Sequence, residues 1–146
     1  MIKRKWIDEI VKGIVAEVGN NNVYDIADFL NISIIKDNEK QNPILKSCDG
    51  FYLRSYKNKE LIVIKDDLIN EKQIIAHELG HALLHMDYDF LLNNKFDLNS
   101  KKEKEADYFA CRLLFSDLII EDGIETTEQL ANILGIKEDN IKYLVK

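Results

Sequence analysis

The stretch Ile74-Ile75-Ala76-His77-Glu78-Leu79-Gly80-His81-Ala82-Leu83-Leu84-His85 constrains this chain most, because it contains every histidine of the protein. It includes the pattern H-E-x-x-H. On a helix, residues four apart share a face, so His77 and His81 point to the same side. Neutral imidazoles at that spacing suit Zn²⁺, which takes nitrogen ligands at about 2.0–2.1 Å. Glu78 lies one step round the helix. There it can take a proton from water beside the ion, which is the arrangement of metalloproteases.

The periodicity predicts a helix over 71–86, with Asn70 or a residue near it as cap. Ile75, Leu79, Ala82, Leu83 and Met86 form one apolar face. His77, His81 and His85 lie opposite, mixed with Ile74 and Leu84. A helix apolar nearly all round is a buried one. Two histidines and a glutamate inside it are costly unless something satisfies them, and a metal ion does so.

The chain is 146 residues long and 46% apolar, enough for one domain with a real core. Its net charge of −6 provides no basic surface for a phosphate backbone. Asp8, Glu9, Lys12 and Glu17 interrupt the segment after Met1-Ile2-Lys3-Arg4-Lys5, so no secretory signal is expected. No apolar run is long enough to span a membrane. Cys48 and Cys111 lack C-x-x-C spacing and read as reduced thiols of a cytoplasmic protein, Cys111 on the core side of a helix.

Around the motif, residues 3–18 read as an amphipathic helix ended by Gly19-Asn20, and 23–30 as a second, short helix. Ile32–Ile35 reads as a strand and 37–47 as a polar loop. Phe51–Tyr56 and Leu61–Ile64 form a hairpin through a turn at 57–60. Residues 87–100 are expected to be a loop near the site, and Ser100 the cap of a helix over 101–115. Its predicted buried stripe is Ala106, Phe109, Ala110, Leu113 and Leu114.

A catalytic zinc takes three protein ligands and a water. The third here is a carboxylate of the 101–115 helix or His85. At 100° per residue, Glu103 falls about 60° from Ala106, within the buried arc, while Glu105 falls about 100° away on the other flank. Glu103 is favoured and Glu105 is second. Asp107, four residues after Glu103, is placed to accept an N–H from a ligating histidine. His85 drifts about 40° per four-residue step from the line of His77 and His81. It is expected behind the ligands or against substrate. Tyr52 and His85 are unranked candidates for stabilising an oxyanion.

These residues carry a resemblance. His77-Glu78-Leu79-Gly80-His81-Ala82-Leu83-Leu84-His85, followed by Glu103-Lys104-Glu105-Ala106-Asp107-Tyr108-Phe109-Ala110-Cys111-Arg112-Leu113-Leu114, resembles the ImmA/IrrE-type metallopeptidases of bacteria, phages and integrative elements. The likeness covers about residues 60–116. It implies zinc held by His77, His81 and Glu103, and Glu78 as the catalytic glutamate. It also implies a protein substrate, a helix-turn-helix repressor of a phage or mobile element. Where the family often reads Leu-Leu-Met-Pro, Leu113-Leu114-Phe115-Ser116 stands here.

Further helices are expected near 117–121, over 128–134 with Thr126 or Thr127 as cap, and over 138–145. Thr127–Ile136 looks like the first part of a helix-turn-helix, but Glu138 and Asp139 offset Lys137 and Lys142, so no nucleic-acid partner is expected. The reading is an α+β, zincin-like fold: a small antiparallel sheet packed on a metal-binding helix pair, with flanking helices. It forms a single domain over 1–146, with N-terminal helices and first strand at 1–36, a core at 50–116 and a helical tail at 117–146. The expected function is a zinc endopeptidase; the alternative is a non-catalytic, metal-containing module that regulates a transcription factor by sequestration.

Overall fold

The computed structural model of the protein describes residues 2–86, 100–115 and 127–144. The readings for 87–99, 117–121 and Thr126 lie outside the described residues. Helix α1 (Arg4–Val18) buries Ile7, Val11 and Ile14. It stops at Gly19, whose φ of +93° a side chain would resist and whose N–H donates to the Val15 carbonyl. Helix α2 (Val23–Phe29) starts where the Asn22 side chain accepts from the N–H groups of Tyr24 and Asp25.

The sheet holds β1 (Ile32–Asp37), β2 (Gly50–Tyr56) and β3 (Lys59–Lys65), in the order β1-β3-β2. Strands β2 and β3 form the expected antiparallel hairpin. Its turn is shorter than 57–60. Lys57 and Asn58 alone make it, both at positive φ (51° and 63°), the two-residue form whose twist suits a hairpin. Strand β1 adds in parallel on the other side of β3, so the sheet is mixed. β2 already occupies one edge of β3, and β1 takes the edge left open.

The run Leu61-Ile62-Val63-Ile64 is buried throughout, because both faces of β3 are covered. Ile62 and Ile64 pack with Tyr52 against the helices. Leu61 and Val63 pack with Phe51, Leu53 and Leu45 on the far face. Leu45 comes from a 3₁₀ turn at Pro43–Lys46, inside the stretch expected to be a polar loop. That turn closes the second face.

Helix α3 (Glu71–Leu84) carries the H-E-x-x-H motif, and α4 (Lys101–Phe115) follows. Asn70 stands at the N-cap of α3, but its side chain makes no capping bond. Ser100 does cap α4: its Oγ accepts the Glu103 N–H at 3.2 Å. Helix α3 ends two residues before Met86, which lies beyond it and is 74% exposed rather than on the apolar face. The two helices meet at Gly80. A Cβ there would stand 3.2 Å from the Cα of Ala106 and 3.3 Å from its carbonyl oxygen.

Helix α5 (Thr127–Leu134) follows the expected tail helix, with Thr127 inside it. Glu138–Tyr143 is a 3₁₀ turn, not the expected α-helix. Ile141 and Tyr143 are both buried. At 120° per residue they sit about 120° apart, against about 160° in an α-helix, so the tighter winding brings both inward. Among the described residues, no helix is long and apolar enough to cross a membrane.

Candidate metal centre

His77 and His81 lie one turn apart on α3 and face the first two turns of α4. The close approach at Gly80 and Ala106 sets the separation. His77, His81 and Glu103 each offer a ligand atom, all within 4.8 Å of one another. His77 Nε2 lies 3.4 Å from Glu103 Oε1, and His81 Nε2 lies 2.5 Å from Glu103 Oε2. Donors about 2.0–2.1 Å from a tetrahedral ion stand roughly 3.3–3.5 Å apart, so two imidazole nitrogens and a carboxylate at this spacing fit such an ion after small side-chain adjustments.

The surroundings keep the nitrogens ready. Nδ1 of His77 lies 2.7 Å from Oδ1 of Asp107, to which it donates. Nε2 is thereby directed towards Glu103. Burial opposes charge on His77, but the hydrogen bonds to Asp107 and Glu103 and the charge of Glu78 outweigh it and push its pKa up to about 10. Burial lowers that of His81 despite Glu103. Burial works against the Glu103 carboxylate too, yet hydrogen bonds from both histidines hold it well below the usual carboxylate range. An ionised carboxylate beside two imidazoles is a ligand set for a divalent cation.

A cleft of about 610 Å³ opens on this group, and His77, Glu78, Glu103 and Asp107 line it. Glu78 is 2% exposed, its Oε2 lying 3.8 Å from His77 Nε2. The opposing wall is Gly135, Ile136, Lys137 and Asn140, which nothing in the sequence connected to the site. Gln73 of α3 ties that wall down by donating to the Leu134 carbonyl at 2.6 Å.

Three other candidates named from the sequence lie outside this group of ligand atoms. Glu105 is not in the group that can hold an ion; its Oε1 lies 3.2 Å from Nε2 of His85. The helical wheel placed Glu105 on a flank, and the flank is buried because His85 fills it. His85 does not line the cleft, and its Nδ1 lies 3.0 Å from Nδ1 of His81. It therefore sits behind His81, the first of the two places expected for it. Tyr52 is fully buried, with its hydroxyl donating to Glu60 and Arg54 over its ring, so it does not reach the cleft as an oxyanion group.

Comparison with known proteins agrees with this geometry. The family described as the IrrE N-terminal-like domain, a peptidase family, matches residues 45–137. Metallopeptidase ImmA of Bacillus subtilis (strain 168) is 31% identical over 122 residues, 82% of this chain and 69% of that protein. Uncharacterized immunity region protein 2 of Bacillus phage phi105 is 30% identical over 131 residues, 87% of this chain and 79% of that one. No solved structure gives a significant match.

Proposed function

Because this chain belongs to the ImmA/IrrE family of metallopeptidases, we propose that it is a zinc-dependent endopeptidase with His77, His81 and Glu103 as ligands and Glu78 as general base. The observation that carries this reading is the convergence of the three ligand atoms within 4.8 Å beside a cleft that His77 and Glu103 line. Zinc, when bound, supplies a Lewis acid that polarises a peptide carbonyl and acidifies water.

The protein's own groups do the rest. Asp107 holds the His77 ring by its Nδ1–H and keeps Nε2 for the ion. Glu78 stands on the cleft beside His77, positioned to accept a proton from the attacking water. The same carboxyl group then delivers that proton to the nitrogen of the leaving amine.

The substrate we propose is a helix-turn-helix repressor of a phage or mobile element. The immunity region named for the phi105 relative supports that choice. The test mixes zinc-loaded protein with a candidate repressor, wild type against Glu78→Gln. Wild type should cleave, and the variant should bind zinc equally but cleave at least about 10²-fold more slowly. Equal cleavage by both would remove Glu78 from the mechanism. Repressor held intact by both would replace catalysis with sequestration.

A further inference from the structure

Behind the ligands runs a chain of buried polar groups that the peptidase mechanism does not use. Nε2 of His81 faces Glu103, and its Nδ1 lies 3.0 Å from Nδ1 of His85. On the far side of His85, Nε2 lies 3.2 Å from Oε1 of Glu105. His81 is 0%, His85 6% and Glu105 5% exposed, so bulk water does not complete this chain. Building on the metal reading above, we propose that His85 and Glu105 are positioning residues for His81. They fix its ring and keep its proton on Nδ1, so that Nε2 meets the ion bare.

The hydrogen-bond directions follow from the atoms. A carboxylate only accepts, so Nε2 of His85 carries a hydrogen. Two facing Nδ1 atoms can share only one hydrogen. A neutral imidazole that offers Nε2 to a metal keeps its single hydrogen on Nδ1. His81 is then the donor and His85 the acceptor, and each ring nitrogen of the chain has one use. The other tautomer of His81 sets two bare nitrogens against each other when His85 is neutral.

The couple is anchored from three elements. Glu105 accepts the backbone N–H of Lys3, at the start of α1, at 3.4 Å. The backbone N–H of His85 donates to the His81 carbonyl at 3.1 Å, and its own carbonyl accepts from Arg54 of β2 at 2.7 Å. His85 has left the helix, at φ −121° and ψ 82°, and so escapes the drift that a fourth-residue repeat imposes. His77 has its carboxylate, Asp107, in direct contact; His81 reaches its own through a second imidazole.

The test compares wild type with Glu105→Leu, Glu105→Gln and His85→Phe. Zinc affinity is measured by competition with a chelating indicator, and the absorption spectrum is read on the Co²⁺-loaded proteins. Imidazole ¹⁵N NMR of zinc-loaded wild type reads the tautomers. Glu105→Leu and His85→Phe should weaken zinc binding by about 10–100-fold and alter the Co²⁺ spectrum. Glu105→Gln keeps an accepting oxygen and should stay within a few-fold of wild type. NMR should place the hydrogen of His81 on Nδ1 and that of His85 on Nε2.

A zinc-loaded His81 protonated at Nε2 overturns the proposal, whether or not any variant folds. So does Glu105→Leu binding zinc as tightly as wild type, or Glu105→Gln binding as weakly as Glu105→Leu. Wild type that takes up no zinc ends the metal reading and this inference together. Wild type that binds zinc beside indifferent variants ends this inference alone.

Discussion

Gly80 of α3 faces Ala106 of α4 across a gap that is tight even for a methyl group: a Cβ on Gly80 would stand 3.2 Å from the Cα of Ala106. Two of the three nearest atoms are Ala106 backbone and cannot swing aside; the third is Cδ1 of Phe109, also at 3.2 Å. This contact sets how far His77 and His81 stand from Glu103. Gly80→Ala gains about 1 kcal/mol in helix propensity and loses about 1–3 kcal/mol to overpacking. The net change in melting temperature should be a modest decrease. Zinc affinity should fall more clearly, by about tenfold, because the helices must separate by tenths of an ångström at the ligands. A melt and a chelator competition on the same sample check both.

His77 gives the metal-free protein a pH dependence. Its pKa rises from 6.5 to about 10 on folding. The sign is that of a group protonated more readily when folded: its contribution to stability is complete below about pH 6.5, declines above that, and is gone above about pH 10. Zinc must displace this proton. Calorimetry in buffers of different ionisation enthalpy should therefore show about one proton released per zinc between pH 7 and 9. Apparent affinity should rise about tenfold per pH unit across that window. A pH-independent affinity there would mean that His77 is already neutral.

Arg54 holds the end of the metal helix. Its Nη2 donates to the carbonyls of His85, Ala82 and His81, at 2.7, 3.3 and 3.5 Å. A cation there also meets the negative end of the helix dipole. Arg54→Met should cost about 1–3 kcal/mol, lowering the melting temperature by roughly 3–9 °C. Thermal unfolding of the metal-free protein checks it.

The cysteines should differ in reactivity. Both are free thiols. Cys111 is 2% exposed, and burial, with the charge of Asp107, pushes its pKa up to about 12. At pH 8 its thiolate fraction is about 10³-fold below that of an ordinary thiol. Iodoacetamide on the native protein should label Cys48, which is partly exposed, and reach Cys111, which borders the same cleft but is buried, only after denaturation. Mass spectrometry of the digested protein identifies the modified residue.

Local pattern carried much of this fold. Helical geometry, read together with the H-E-x-x-H motif, pointed to Glu103 and Asp107 of α4, and the structure brings these groups to His77. The same reading ranked Glu105 second but could not give its partner: that carboxylate meets His85, twenty residues earlier, and no period records such a pairing. The unbroken apolar run of β3 is itself a mark of a strand covered on both faces. Nothing in it says that Leu45 supplies the cover or that β1 joins in parallel. The cleft wall at Gly135–Asn140 also escaped notice, because its place depends on the Gln73 bond to Leu134.

His81 is wholly enclosed, whereas His77 borders the cleft. A cation bound there would meet the cleft on the side of His77 and Glu103, not on that of His81. A peptide seated in the cleft would cover that side, so a chelator should strip the ion more slowly with peptide present than without it.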